Sequence, residues 1–364
     1  MKAAVLHQAP GDLAIEDVDL DSPGPEEVLI RVVASGLCHS DLHVMEGKIP
    51  WPLPSMLGHE AAAVVEAVGS HISEFKPGDH VVSCLSQFCG ACLECSASRT
   101  WLCQNRRGLG QADRARPRAT MKGKPVNPFA GLGAFAERMV VHRNAIVTVP
   151  KELPLDRAAL LGCAVVTGVG SVVNGARVAP GSTVAVIGCG GIGLNLIQGA
   201  VLAGAGRIIA IDLQKKKLEL ARIFGATDVI DASSPDDPVK AVQELTKGGV
   251  DYAFEAIGLA KTAEQAFAMI RPGRTAYLVG VPPMGASIQL PGIAMLMLGK
   301  GLQGLFMGSS RFKQDIPMLA TLYLRGKLKL DELIAERITL AQVNEGYAKM
   351  RTGEQARSVI VFQS

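Results

Sequence analysis

Aromatic residues are scarce in this chain, at 4% of 364 residues, so the apolar 48% rests mainly on Ala, Val, Ile and Leu. Small side chains of that kind suit tightly turned α/β structure. Charge of one sign is also lacking. The 37 Lys and Arg against 34 Asp and Glu leave a formal net charge of +3, which at this length predicts neither nucleic-acid binding nor attraction to a membrane surface. The longest apolar stretch, 184–211, is interrupted by five glycines between Gly188 and Gly199 and by Gly204-Ala205-Gly206, so it reads as several short elements and not as a membrane span. Residues 1–7 reach Gln8 and Pro10 before a signal-peptide core can form, and a cytoplasmic protein is expected. Internal repeats and low-complexity tracts are missing. The eight cysteines do not form a secreted disulfide pattern, because four of them crowd between Cys89 and Cys103.

What is present suggests two domains, since the length exceeds that of a usual single core. Up to about residue 149, short apolar runs such as 28–33, 62–68 and 80–82 alternate with Pro and Gly turns, which predicts β-rich structure. The segment 106–128 has no hydrophobic period and carries Arg106, Arg107, Arg114, Arg116, Arg118, Lys122 and Lys124. It is expected to be a long exposed loop.

Three groups of residues carry chemistry. The first is Gly36-Leu37-Cys38-His39-Ser40-Asp41-Leu42-His43, a dense polar stretch directly after an apolar strand. Taken alone, Cys38 is as readily a small buried apolar residue. His59, in Gly58-His59-Glu60, and Cys163, in Leu160-Leu161-Gly162-Cys163, have equally ordinary readings as a hydrogen-bonded histidine and a core thiol. Together they make a Cys2His set, the kind of three-ligand zinc site that leaves a position open for substrate.

The second group is Cys89, Cys92, Cys95 and Cys103, spaced C-x2-C-x2-C-x7-C. Four thiolates close a structural zinc shell. Disulfides are disfavoured by the two-residue spacings and a reducing compartment, and an iron–sulfur cluster by the lack of a second cysteine group.

The third group opens the second domain. The strand 182–187 precedes Gly188-Cys189-Gly190-Gly191-Ile192-Gly193, which fits G-x-G-x-x-G, and an apolar helix follows. That is the order a dinucleotide-binding turn requires, with the pyrophosphate on the helix N-terminus. The next strand ends at Asp212, where an acid accepts hydrogen bonds from the adenosine ribose and repels a 2′-phosphate, which favours NAD over NADP. Strands near 228–231, 250–256, 275–281 and 302–306 alternate with helical stretches near 215–224, 239–247 and 262–270, the pattern of a doubly wound parallel sheet. Helices are expected near 313–325 and from Thr339-Leu340-Ala341-Gln342, a capping-box sequence, to 350. A final strand is expected at 358–362.

With these motifs in this order, essentially the whole chain resembles the zinc-dependent alcohol dehydrogenases of the medium-chain dehydrogenase/reductase family. The fold class implied is α/β. A GroES-like β-rich catalytic domain would span 1–164 and 306–364, with the zinc lobe at 89–103, and a Rossmann domain with a doubly wound parallel sheet would span 165–305. Residue by residue, the resemblance makes Cys38, His59 and Cys163 the ligands of a catalytic zinc, Glu60 an alternative ligand, and Asp41 the carboxylate behind the histidine. Ser40 would take the alcohol proton and His43 would pass it to solvent. NAD would touch His39, Thr167, Gly188, Gly190, Gly191, Ile192, Gly193, Asp212, Lys217, Val281 and Arg357. His39 departs from the arginine of many relatives, which would make cofactor retention pH-sensitive. Lys217 and Arg357 also read as solvated surface charges.

The resemblance further implies two zinc ions per chain, a small alcohol or aldehyde substrate, and a homodimer or homotetramer paired near 302–306. No nucleic-acid or membrane partner is implied. Ile49, Trp51, Leu85 and Val281 fall at pocket positions and suit a primary aliphatic or aromatic alcohol. Arg107 matches formaldehyde dehydrogenases that act on thiol adducts of the glutathione or mycothiol type, but Ile49 stands where those enzymes carry an acid. A non-catalytic zinc- and NAD-binding sensor on the same fold is the reading outside enzymes. Retention of Ser40 and His43 beside the ligands argues against it.

Overall fold

The structure is a computed structural model that describes residues 1–106, 109, 116–353 and 357–363. The chain divides into two compact units, Met1–Cys163 with Arg311–Ser364, and Ala164–Ser310.

The first unit is built on the strand Glu27–Gly36. Val28, Ile30, Val32 and Ala34 are buried while Leu29, Arg31 and Val33 are half-buried, the period of two that a strand imposes. A slip of one residue would turn that inner row outward, at about 1.5–3 kcal/mol for each large aliphatic side chain, so the register is firmly set. Glu60–Val68 and Arg138–His142 pair with this strand antiparallel, as does Arg357–Val361 at its far end. His80–Ser83, Ile146–Thr148 and Ile334–Ile338 complete a seven-stranded sheet. In this register Gly36 lies opposite both Glu60 and Val359. The chain therefore leaves the sheet toward Cys38, and enters it from His59 and at Arg357, all at one end. Near the C-terminus Thr339 and Gln342 form a capping box. It leads into the helix Val343–Thr352, whose Val343, Tyr347 and Met350 pack on Leu37 and Leu42.

The segment 106–128 departs from the exposed loop expected of it. Ala119–Met121 pairs with Lys124–Pro125, and Asn127–Pro128 runs parallel to Ser55–Met56. Arg118 is buried, with its Nε donating to Glu27 Oε1 at 2.6 Å and its Nη1 to the Gly131 carbonyl at 3.3 Å. A guanidinium satisfied by a carboxylate and carbonyls can be buried, and a partner 91 residues away leaves no trace in local charge density. Lys122 and Lys124 are exposed as expected. Arg107 and Arg114 lie outside the described residues.

The second unit holds a six-stranded parallel sheet in the order Asp228–Asp231, Arg207–Asp212, Thr183–Ile187, Tyr252–Glu255, Thr275–Leu278, Gly301–Gly304. Helices Gly191–Leu202, Lys215–Ile223, Pro238–Thr246 and Ala260–Met269 alternate with the strands. The sequence order reverses direction on either side of Thr183–Ile187, which opens the crevice where such sheets bind ligands. The apolar stretch 184–211 resolves into strand, helix and strand. No single helix among the described residues is long and apolar enough to cross a membrane. Ala164–Gly170 and Gly292–Leu298 are helices that were not expected, and in the second of them Ile293, Leu296 and Met297 are 69%, 80% and 71% exposed. A short helix that is apolar all round has no 3.6-residue period to betray it.

Candidate active site

Four side chains converge at the end of the seven-stranded sheet. Ligand atoms of Cys38, His59, Glu60 and Cys163 all lie within 4.8 Å of one another, and all four residues are buried. Cys38 precedes the short helix His39–Met45, which presents Asp41 inward. Asp41 Oδ2 sits 3.1 Å from His59 Nδ1, and its Oδ1 accepts the Gly58 amide at 2.8 Å. That contact turns the other ring nitrogen of His59 away from the carboxylate. Ser83 Oγ accepts the Ala61 amide and donates to the His59 carbonyl, which fixes the start of the strand.

The electrostatics are those of a buried cluster short of positive charge. A hydrogen bond from the Cys163 thiol holds Cys38 well below the ordinary thiol range, with His59 assisting against burial. The same contact, together with burial, pushes Cys163 up. Burial disfavours a charged His59, but Asp41 and Cys38 outweigh it and hold the imidazole well above its usual value. Burial raises Glu60 to about 8 despite the neighbouring Arg357. His59 Nε2 and both Glu60 carboxylate oxygens are buried without a hydrogen-bond partner. Buried ring and carboxylate atoms left without hydrogen bonds beside a thiolate cost free energy that a divalent cation would remove. Two sulfurs, one imidazole nitrogen and an optional carboxylate form a donor set that fits zinc.

On the solvent side of the same helix, Ser40 Oγ lies 3.7 Å from Cys38 Sγ. His43 stands one helical turn further on, its ring 6.5 Å from that of exposed His39. Partial burial, with Lys48 nearby, holds His43 below its ordinary pKa. Ile49 and Trp51 border a buried cluster that contains Phe129. Phe129 meets Trp51 edge-on at 4.8 Å and His59 at 5.8 Å. Leu85 borders the neighbouring cluster. The sequence reading missed Phe129, because one aromatic after a proline carries no signal of its neighbours. Arg357 is not a solvated charge. It is 5% exposed, donates to the Leu37 carbonyl at 2.6 Å, and lies 3.3 Å from Glu60 Oε1.

The four-cysteine lobe has a different construction. Sulfur separations are 3.5 Å for Cys92–Cys95 and 4.0 Å for Cys89–Cys95 and Cys92–Cys103. Four sulfurs at about 2.3 Å from one zinc stand about 3.8 Å apart, so the lobe has the right size for the ion. The spacings are far above the 2.05 Å or so of a disulfide. Amides of Cys89, Ala91 and Cys92 point at the sulfurs of Cys103 and Cys89. Backbone amides of Cys95 and Gln104 hold Cys92 down to about 6, while burial pushes Cys95 up to about 12.

In the second unit the glycine turn runs from Gly188 to the helix Gly191–Leu202. A side chain at Gly193 would place its Cβ 1.7 Å from the Gly188 carbonyl oxygen, so only glycine lets helix and strand meet there, whereas the space beside Gly190 is open. Ile192 follows in the first helical turn. Asp212 ends its strand beside this turn and accepts the amides of Cys189 at 2.8 Å and Gln214 at 3.0 Å. Lys217 follows in the first turn of the helix Lys215–Ile223. Val281 is 48% exposed, and Thr167 is buried with its hydroxyl 3.7 Å from Met307 Sδ.

Residues 24–151 match the alcohol dehydrogenase GroES-like domain, and residues 191–321 match the zinc-binding dehydrogenase domain. An alcohol dehydrogenase zinc-binding domain protein from Burkholderia ambifaria superposes with a TM-score of 0.95 at 34% identity, over 100% of this chain and 99% of that one. The chain belongs to the zinc-dependent alcohol dehydrogenases of the medium-chain dehydrogenase/reductase family. Benzyl alcohol dehydrogenase from Acinetobacter calcoaceticus superposes at 0.94 with 33% identity, again over 100% and 99% of the two chains. A putative zinc-binding dehydrogenase from Sinorhizobium meliloti, solved with NADP, superposes at 0.83 with 27% identity over 99% of each chain. As a member of the zinc-dependent alcohol dehydrogenases this protein is an oxidoreductase that uses zinc and a nicotinamide cofactor. Its two thiol clusters are candidate zinc sites. Arg107, the residue that pointed to a thiol-adduct substrate, lies outside the described residues.

Proposed function

We propose that this alcohol dehydrogenase oxidises a primary alcohol, aliphatic or aromatic, to its aldehyde with hydride transfer to NAD. One observation carries the reading: a buried Cys2His donor set with a buried carboxylate stands next to a serine hydroxyl and a half-buried histidine on one short helix. Cys38, His59 and Cys163 would hold the catalytic zinc, with Glu60 as the alternative ligand and Asp41 orienting His59. When bound, zinc supplies the Lewis acidity that makes an alcohol easier to deprotonate, and the nicotinamide ring accepts the hydride. Ser40 Oγ takes the alcohol proton, and His43, neutral near pH 7 because burial and Lys48 lower its pKa, relays it to solvent. Ile49, Trp51 and Phe129 would form an apolar wall for the rest of the substrate, with Leu85 on the neighbouring cluster. The likeness to a benzyl alcohol dehydrogenase from Acinetobacter calcoaceticus supports including aromatic alcohols in this class.

Asp212 is the group that selects NAD, since a carboxylate already fixed by two amides repels a 2′-phosphate. Thr167, Lys217 and Val281 would complete the contacts of the cofactor beside the glycine turn. The four-cysteine lobe would hold a second, structural zinc. Both clusters need reduced thiols, which supports a cytoplasmic setting. The unpaired edge strand Gly301–Gly304 and the exposed apolar helix Gly292–Leu298 support a homo-oligomer.

The test is NADH formation measured by absorbance with primary and secondary alcohols, with NADP in place of NAD, and with formaldehyde plus a thiol carrier. Turnover only with the thiol adduct would overturn the simple-alcohol reading. Asp212→Gly should shift the NAD to NADP preference about tenfold toward NADP. An unchanged ratio would remove Asp212 from the ribose site.

A further inference from the structure

Glu255 is a wholly buried carboxylate that the reaction does not use. It closes the strand Tyr252–Glu255, in parallel register with Ile187 on one side and Leu278 on the other. Ile187 is the last residue before the glycine turn. Three donors converge on one oxygen: Glu255 Oε1 accepts the amides of Ile257 and Gly258 and the Thr262 hydroxyl, each at 2.8 Å. The backbone carbonyl of the same residue accepts the amides of Val279 and Gly280 at 2.9 and 3.0 Å. Oε2 is buried with no partner, and among the described residues no cation is paired with this carboxylate. A buried carboxyl group held only by two amides and a hydroxyl, with its second oxygen unpartnered, is a costly way to close a strand, and it contributes most where the following turn must not move.

The turn so fixed lies beside the phosphate cradle. The Ala256 amide donates to the Ile187 carbonyl at 2.9 Å. Ile257, 46% exposed, stands close enough to Gly188 that a Cβ there would meet its Cγ1 at 2.6 Å. Gly258 adopts φ +90° and approaches the Val281 carbonyl so closely that a Cβ would lie 2.3 Å from it. One carboxylate thus holds the turn that carries two exposed aliphatic residues, Ile257 against Gly188 and Val281 against Gly258.

We propose that Glu255 is a positioning residue for the dinucleotide, fixing the 256–258 turn so that Ile257 and Val281 form a preset apolar wall beside the glycine turn. The proposal rests on the reading that this turn holds the cofactor. The experiment is titration of the purified zinc-loaded protein with NADH, followed by cofactor fluorescence, for wild type, Glu255→Ala, Glu255→Gln and Thr262→Val. Glu255→Ala should weaken NADH binding at least about tenfold and raise the KM for the dinucleotide in step, with kcat at saturation within about threefold of wild type and zinc content unchanged. Glu255→Gln keeps an acceptor oxygen for the three donors and should restore binding to within about threefold. Should Glu255→Ala fail to fold, Thr262→Val, which removes one donor from the bracket, should still weaken NADH by about threefold with the same separation of KM from kcat. Wild-type affinity in folded Glu255→Ala, or in Thr262→Val where Glu255→Ala does not fold, overturns the proposal, as does a loss in Glu255→Gln equal to that in Glu255→Ala. Failure of the wild-type protein to bind any nicotinamide dinucleotide would instead overturn the reading beneath it.

Discussion

The two thiol clusters in the first unit use the same element in opposite ways. The lobe draws all four sulfurs from residues 89–103, leaves Cys89 and Cys92 half-buried, and steadies them with amides of the same loop. The other cluster collects Cys38, His59, Glu60 and Cys163 from segments up to 125 positions apart, buries them all, and leaves His59 Nε2 and both Glu60 oxygens without a hydrogen bond. A local loop with a full set of thiols can satisfy a metal completely and so suits a structural role. A buried, incompletely satisfied set assembled by the fold stores electrostatic demand at one point, which suits chemistry.

The largest effect should separate the two. Cys38→Ala should lower alcohol oxidation on the order of a thousandfold and remove one zinc per chain while the lobe keeps its own. Loss of both metals on elemental analysis would show that the clusters are not independent. Asp41→Asn should weaken zinc retention at the buried cluster by roughly ten- to a hundredfold, because the carboxylate that orients His59 and raises its basicity is gone. Competition with a chelator measures this, and an unchanged release rate would remove Asp41 from that role. Cys95→Ser should leave the buried cluster loaded but cost the lobe its zinc and lower the thermal midpoint by roughly 10 °C. A wild-type midpoint with two zincs bound would end the structural assignment.

The smallest effect concerns His43. Its pKa is depressed in the fold by burial and Lys48, so the unfolded chain binds more protons in the window below about pH 6.5. Its contribution to stability is therefore present above that value and lost as pH falls through the folded pKa. His43→Gln should flatten the stability profile between about pH 5 and 6.5 and lower kcat about tenfold near neutrality. Identical pH profiles for the two proteins would dismiss the relay.

The contrast also governs what could be read without coordinates. Spacing alone suggested a closed zinc shell at the lobe, because its ligands are neighbours in the chain. The parallel-sheet unit was legible for a related reason. Strand, glycine turn, helix and acid follow one another locally, and the strand at 228–231 and the helices that begin at 215, 238 and 260 fall within two residues of where periodicity puts them. Arg118 was misread as part of an exposed loop because Glu27 is remote in sequence. The wall residue Phe129 and the support from Ser83 had no sequence signal at all, since each depends on partners brought near by the fold, whereas the bracket around Glu255 draws its donors from the next seven residues in no recognisable motif.

By itself, then, the sequence determined the period of its strands and helices, the glycine turn that only Gly193 allows, and the local grouping of four thiols. These follow from steric and hydrophobic rules that act over a few residues. Tertiary structure alone decided that Cys38, His59, Glu60 and Cys163 share one point, that Asp41 rather than water faces His59, and that Arg357 lies inside against Glu60. The physical reason is register. Burial of Val28, Ile30, Val32 and Ala34 locks the strand Glu27–Gly36 against its neighbours, and that lock brings distant polar residues to one end of the sheet, where low dielectric makes them act on each other.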